Sequence, residues 1–73
     1  MIKVVLTRRE IEILLRLREG MSLKEVAFQL DVNYNVLKDN LLILRAKLGA
    51  RSSFHAVILA IRERLIPLYE DGE

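Results

Sequence analysis

The sequence predicts an all-α fold of four helices with no substantial sheet, and three observations support this prediction. Two capping boxes open helical segments, Thr7 with Glu10 and Ser22 with Glu25; in each, the two side chains accept from one another's backbone amides. Apolar residues then recur at helical spacing, above all in a stripe of leucines. Glycine follows two of the segments, at the place where helices commonly stop.

The first two helices follow from their caps. Helix 1 is predicted from about Thr7 to Glu19, ending at Gly20, and its inward face carries Ile13, Leu14 and Leu17. Helix 2 is predicted from about Ser22 to Leu30, and its apolar face carries Val26, Ala27 and Leu30. Ile11 and Leu15 fall outside the inward face of helix 1, so we expect them on the surface.

The third helix is predicted from about Tyr34 to Leu48, with Asn33 as its N-cap and Gly49 as its stop. Its core stripe follows helical spacing and consists of Leu37, Leu41, Leu44 and Leu48. Only residues 31–33 separate helices 2 and 3, and two helices joined by so short a turn must cross at a steep angle. This arrangement is the helix-turn-helix unit, whose second helix can enter the major groove of DNA.

The fourth helix is predicted from about Ser53 to Leu65, with Ser52 or Ser53 as its cap and Pro67 preventing its simple continuation. It is unusually apolar, carrying Phe54, Val57, Ile58, Leu59, Ile61, Leu65 and Ile66. One helix face needs fewer apolar residues to cover a core. The excess is buried either by a symmetric partner or by folding back onto this small core.

Composition bounds the class of protein. A chain of 73 residues predicts one domain, 1–73, with an arm (1–6), a four-helix core (7–66) and a tail (67–73) whose acidic end, 70–73, is expected to fray. Apolar residues make up 52% of the chain, too many for a disordered tail. No apolar run is long enough for a membrane span and residues 1–6 are too few for a secretory signal, so we expect a cytoplasmic protein. The net charge of +2 is compatible with a nucleic-acid partner.

Catalysis and cofactor binding are not expected. An enzyme needs a convergent set of polar groups, but the one histidine, His55, falls on the first turn of helix 4, where we expect a partly exposed helix residue and not a catalytic base. Glu10 and Glu25 are explained by their caps. The sequence contains no cysteine, no glycine-rich phosphate loop and no metal-ligand cluster. We therefore predict that the chain is not an enzyme and binds no metal or cofactor.

An ordered set of residues along most of the chain resembles a known family. The set comprises Leu6-Thr7-Arg8-Arg9-Glu10, Glu12-Ile13-Leu14, Gly20, Ser22, Lys24-Glu25-Val26-Ala27, Leu30, Lys38, Lys47-Leu48-Gly49, Ala56-Val57 and Arg62. Over about residues 6 to 66 the sequence resembles the LuxR/GerE-type helix-turn-helix domain, in a stand-alone form without a receiver or sensor domain. The resemblance implies a transcription regulator with four helices, which binds double-stranded DNA through the third helix and forms a homodimer through the fourth.

The resemblance also implies roles for single positions. Lys24 falls where the family often contacts phosphate, and Lys38 falls where it contacts base edges or phosphate. The expected DNA-binding residues are Lys24, Asn35, Val36, Lys38, Asp39, Asn40, Lys47 and Arg51. The expected dimer interface consists of Phe54, Val57, Ile58, Ile61 and Leu65. For the lysines and the arginine, a solvated surface role is the alternative.

Four positions on helix 3 depart from the family pattern and keep a second function open. Leu42 and Ile43 stand where polar residues are usual, Val36 replaces threonine, and Asp39 adds a carboxylate on the face expected to approach phosphates. These changes suit a protein-interaction module that binds a component of the transcription machinery through the apolar face of helix 3. Val36 can instead contact a thymine methyl group and Asp39 a cytosine amino group, which would retain DNA binding.

Helix 4 departs from the family pattern at both ends. Ser53 stands where arginine is common, so one expected phosphate contact is missing. At the other end the family frequently has Gly-Leu-Ile, and Arg64 replaces that glycine.

Overall fold

A computed structural model describes residues 4–70, which form four helices and no strand. The helices are α1 (Arg8–Arg18), α2 (Leu23–Leu30), α3 (Tyr34–Leu48) and α4 (Ser53–Arg62). The predicted all-α, four-helix fold is therefore confirmed, and α3 is the longest helix at 15 residues. The first three helices have nearly the predicted bounds. The predicted end of helix 4 at Leu65 is wrong, since α4 stops at Arg62.

Both predicted capping boxes are present. The Thr7 amide donates to Glu10 Oε1 at 2.8 Å, and the Glu10 amide donates back to Thr7 Oγ1 at 3.1 Å. The Ser22 and Glu25 pair repeats this geometry with distances of 2.8 and 3.2 Å. Two amides that have no partner within the helix are satisfied at each start, which fixes where α1 and α2 begin.

The caps of α3 and α4 use a single side chain each. Asn33 Oδ1 accepts from the Asn35 amide at 2.7 Å, as the sequence predicted. Ser52 Oγ accepts from the His55 amide at 3.0 Å, so Ser52 and not Ser53 caps α4. Loss of such a cap costs about 1 kcal/mol.

All four helices end in the same motif, the Schellman motif. A residue with positive φ follows each helix, at Gly20 (91°), Asp31 (56°), Gly49 (70°) and Arg64 (61°). The next amide donates back to the carbonyl oxygen five residues earlier, at distances of 3.3, 3.0, 2.9 and 2.8 Å from α1 to α4. A Cβ atom added at either glycine would meet nothing within 4 Å, so backbone conformation and not space explains those two glycines.

The same motif explains the early end of α4. Arg64 occupies the left-handed conformation where the resemblance implies a glycine, and its amide donates to Ile61 O at 3.0 Å. The chain turns there and carries Ile66 into the core, where it is only 3% exposed. The apolar spacing of the sequence would allow the helix to continue to Leu65. Burial of Ile66 in the core requires the chain to leave the helix earlier.

All four helices contribute side chains to the hydrophobic core. Its largest fully buried side chains are Ile13, Leu14, Val26, Leu37 and Leu44. From α4 it takes the small residues Ala56 and Ala60, both fully buried, where α4 packs against α1 and α3. The expectation that Ile11 and Leu15 lie on the surface is wrong, because both are half-buried against this core.

Arg18 ties the segment after α4 to the end of α1. Its guanidinium lies 2.6 Å from the Glu19 carboxylate and 2.8 Å from that of Glu70, and it donates to Pro67 O at 3.1 Å. The side chain of Arg18 is only 6% exposed. Glu70 of the predicted acidic tail thus contacts α1, while 71–73 lie outside the described residues, as does half of the predicted N-terminal arm, 1–3.

Arg64→Gly should stabilise the protein by about 0.5 to 1 kcal/mol. A non-glycine residue pays a steric cost of roughly 1–2 kcal/mol in the left-handed conformation, and the greater flexibility of glycine in the unfolded chain offsets part of the relief. Urea denaturation measures the change in free energy of unfolding. Arg64→Ala is the matched control, since it removes the charge and keeps the Cβ atom. An equal effect of both variants would show that charge, and not backbone conformation, limits stability here.

Candidate nucleic-acid interface

The buried leucines of α3 fix which face of the helix points outward. Leu37 and Leu44 are fully buried and Leu41 is 5% exposed, so the opposite side of the helix faces away from the core. That side carries Asn35, Asp39 and Leu42 at the spacing i, i+4, i+7, and all three are exposed. Val36 and Ile43 form a parallel row beside them. We call these five residues the outward face of α3.

Much of the outward face is apolar. Leu42 is 61% exposed, Ile43 56% and Val36 46%. The prediction that Leu42 and Ile43 lie on the surface is therefore confirmed. Single exposed apolar residues are common, but three on one helix face form a surface that favours a partner over water.

Lys38 lies at the edge of the outward face, and its ammonium group can bind an external anion. The side chain is exposed, and its ammonium lies 5.3 Å from the centroid of the Tyr34 ring, one helical turn earlier. No carboxylate within salt-bridge distance among residues 4–70 neutralises it. The Tyr34 contact was not predicted, although the i, i+4 spacing of an aromatic residue and a lysine was a signal for it.

The two asparagines expected to contact DNA differ in their surroundings. Asn35 is exposed, and only its backbone amide is used, by the Asn33 cap. Asn40 is half-buried, and its side-chain amide already donates to Val36 O. One of its two amide hydrogens is thus occupied within α3, which leaves Asn35 the better placed of the two.

Lys47 is bound within its own chain, and this contact was not predicted. Its ammonium lies 2.9 Å from Glu10 Oε1 and 3.3 Å from Val5 O. The Glu10 side chain is 6% exposed and that of Lys47 is 33% exposed. Glu10 was explained by its cap alone, yet the same carboxylate oxygen also accepts from Lys47. This pair joins the end of α3 to the start of α1.

The surroundings of Glu10 lower the pKa of its carboxyl group. Burial acts to raise this pKa, but hydrogen bonds and the positive charge of Lys47, together with hydrogen bonds from Thr7, outweigh burial. The net pKa lies below its ordinary value of 4.5. The carboxylate is therefore ionised, and matched to Lys47, throughout the neutral range.

The loop between α3 and α4 is held by its own hydrogen bonds. Arg45 Nη2 donates to Arg51 O at 2.6 Å, and the Arg51 amide donates to His55 Nδ1 at 3.0 Å. His55 is a partly exposed helix residue, as predicted. The side chain of Arg51 is exposed. Lys24 is also exposed, two residues after the Ser22 cap of α2, so both cations can reach an external phosphate.

The predicted dimer residues of helix 4 fall into two groups. Phe54 is 74% exposed and Ile58 is 39% exposed, one helical turn apart. Val57 is 7% exposed and belongs to the core of its own chain, while Ile61 and Leu65 are partly buried against that core. The apolar excess of helix 4 is therefore mostly used within the chain, and only Phe54 and Ile58 remain for a partner.

The largest exposed fraction among the described apolar side chains belongs to a residue of α2 and was not predicted. Phe28 on α2 is 87% exposed. The sequence could have shown this, because Phe28 falls off the apolar face formed by Val26, Ala27 and Leu30.

The described helices have the arrangement of a helix-turn-helix DNA-binding domain, with α2 and α3 joined by residues 31–33. Residues 4–60 match the model of the family described as bacterial regulatory proteins, luxR family (GerE). The chain belongs to this family, and the resemblance inferred from its sequence is confirmed. The family is one of regulatory proteins, which agrees with the prediction that this chain is not an enzyme.

The chain is similar to the nitrate/nitrite response regulator protein NarP of Escherichia coli (strain K12). The two are 37% identical over 60 residues, which are 82% of this chain and 28% of NarP. The chain thus corresponds to less than a third of that relative. Within residues 4–70 no helix is long and apolar enough to cross a membrane, and no cluster of three or more acidic or histidine side chains could hold a metal ion.

The Glu10 carboxylate should stabilise the protein in a pH-dependent way. Its folded pKa is lowered, so its contribution is fully present above pH 4.5 and is lost as pH falls through the lowered pKa. Glu10→Gln should cost about 2 kcal/mol at pH 7, the value of a hydrogen bond between charged groups. Chemical denaturation from pH 7 down to pH 3 should show the two proteins converging below pH 4.5.

Glu25→Gln is the matched control for this experiment. It removes the carboxylate of the other capping box, which has no lysine partner. We expect a smaller loss of stability at pH 7 than for Glu10→Gln. Equal losses would show that the Lys47 pair adds nothing beyond the cap.

Proposed function

We propose that this chain binds double-stranded DNA as a symmetric dimer and regulates transcription, with α3 of each copy in a major groove. One observation carries the proposal: in a helix-turn-helix unit of the luxR family, the whole outward face of α3 is exposed while Leu37, Leu41 and Leu44 are buried. A dimer would set two copies of α3 in successive major grooves of a roughly two-fold-symmetric site.

Three cations support binding to the phosphate backbone. Lys24, Lys38 and Arg51 are exposed and have no carboxylate partner among the described residues. Each can neutralise a phosphate and release a counterion from the duplex. We leave Lys47 out of this set, since its ammonium is held by Glu10 and Val5.

Two apolar residues support the dimer. Phe54 and Ile58 lie one turn apart on α4 and leave a hydrophobic strip exposed. A two-fold axis through this strip would place each copy's residues against the same residues of the other copy. The proposed interface is thus smaller than the sequence suggested, because Val57 is absent from it.

A protein-interaction module on the same scaffold is the second candidate. The exposed Leu42 and Ile43, next to the negative charge of Asp39, favour it, since a groove lined with phosphates repels a carboxylate. In this case α3 would bind an apolar surface of a component of the transcription machinery. DNA binding is preferred because the three exposed cations have no role in the alternative.

The salt dependence of DNA binding should distinguish cations that contact phosphate from Lys47, which is bound within the chain. Lys24→Ala and Arg51→Ala should each reduce the slope of log K against log salt by about one unit, because each removes one phosphate contact. Lys47→Met should leave the slope unchanged while lowering the free energy of unfolding. Fluorescence anisotropy with a labelled mixed-sequence duplex measures the slopes. A slope reduced by Lys47→Met would show that Lys47 leaves Glu10 for a phosphate on binding.

Charge on α4 should dissociate the dimer without unfolding the chain. Ile58→Glu places a carboxylate on the exposed strip, so sedimentation should change from dimer to monomer while the helical circular dichroism is kept. Val57→Glu is the contrasting variant and should unfold the protein, because it buries a charge in the core. A wild-type chain that sediments as a monomer at high micromolar concentration contradicts the proposed dimer.

A further inference from the structure

We propose that α3 selects its DNA site chiefly through the C5-methyl groups of thymines, with Leu42 and Val36 as the contacting side chains. The inference rests on the proposed function, because it takes α3 to lie in a major groove. It adds the class of sequence that the helix would choose, namely A·T pairs with their thymine methyl groups turned toward the outward face.

Few cationic donors, the usual partners of guanine, remain on α3. The helix has three cations, and Lys47 is bound to Glu10. Arg45 donates through Nη2 to Arg51 O, and its Nε atom is buried. Lys38 is therefore the one exposed cation of α3 without such a bond. Guanine is read by donors to O6 and N7, so a guanine-rich site would need more donors than Lys38 supplies.

The outward face offers apolar groups instead. Leu42 lies on the same row as Asn35 and Asp39, and Val36 stands in the row beside it. Leu42 is 61% exposed and Val36 46%. In the major groove the thymine methyl is the apolar group that a base pair presents, so it is the natural partner for both. Asn35 fits the same site, since a side-chain amide pairs with N6 and N7 of adenine.

Asp39 further restricts which base pairs α3 can contact. An ionised carboxylate only accepts hydrogen bonds, and the major-groove donors are the amino groups of adenine and cytosine. Opposite Asp39 we therefore expect adenine or cytosine, since guanine O6 and N7 would be repelled. Asp39 lies three residues before Leu42, within reach of the same or the next base pair.

Replacing thymine by deoxyuridine tests the proposal, because it removes the methyl group and keeps base pairing. The full chain first selects sites from random duplexes at low salt. Each thymine of the selected site is then exchanged for deoxyuridine. At contacted positions the affinity should fall about fourfold, the effect of exposing one buried methyl group.

The variant Leu42→Ser tests whether Leu42 is the side chain that contacts the thymine methyl group. This variant should bind the thymine and deoxyuridine duplexes with equal affinity at the position that Leu42 contacts, while its circular dichroism stays that of the wild type. Leu68→Ser is the matched control, since Leu68 is 64% exposed and lies after α4. It should keep the full preference for thymine.

The outcomes separate this inference from the proposed function. Equal affinity of the wild type for thymine and deoxyuridine duplexes overturns methyl reading and leaves DNA binding intact. Selected sites dominated by guanine opposite α3 also overturn it. A folded chain that retains no duplex at low salt overturns both proposals and favours the protein-interaction module.

Discussion

The burial of Leu37, Leu41 and Leu44 is the constraint on which the rest of the structure depends. α3 contacts the other three helices, and these leucines lie where they meet. Because the three are nearly inaccessible to water, rotation of α3 about its axis would expose them at a cost of roughly 2 kcal/mol each. The outward face is thus set by hydrophobic burial on the opposite side of the same helix.

Glu10 adds a second restraint at the far end of α3. One carboxylate oxygen accepts from the Thr7 amide, which starts α1, and from Lys47, which lies in the last turn of α3. A single side chain therefore caps the start of α1 and holds the last turn of α3 next to it. A buried carboxylate without Lys47 would carry an uncompensated charge, so the two residues have to be considered together.

Local signals in the sequence predicted most of the fold, and tertiary contacts account for what was missed. Thr7, Ser22 and Asn33 are caps whose partners lie two or three residues away, so short-range pattern was enough to place three helix starts. The end of α4 depended on Ile66 entering the core and on an arginine taking a conformation that usually calls for glycine. Neither is visible in helical periodicity.

The candidate site was also predictable only where local sequence signals determine it. Exposure of Lys38, Leu42 and Ile43 followed from the position of the leucine stripe. The engagement of Lys47 did not, because Glu10 is 37 residues away in sequence. Val57 was expected at a dimer interface, and its burial in the core of its own chain was not predicted, since an apolar helix does not reveal which of its apolar rows the rest of the chain covers.

The left-handed backbone of Asp31 begins the short turn that separates α2 from α3. Residues 23–48 are helical except for 31–33, and the break is a single left-handed residue followed by an asparagine cap. Were all of residues 31–33 to take right-handed helical angles, α2 and α3 would merge into one continuous helix. Val26 and Leu37 could no longer meet in one core, and the helix would present its leucines to other molecules. The backbone angles of this three-residue turn thus separate a fold that buries its leucines from one that would expose them to other molecules.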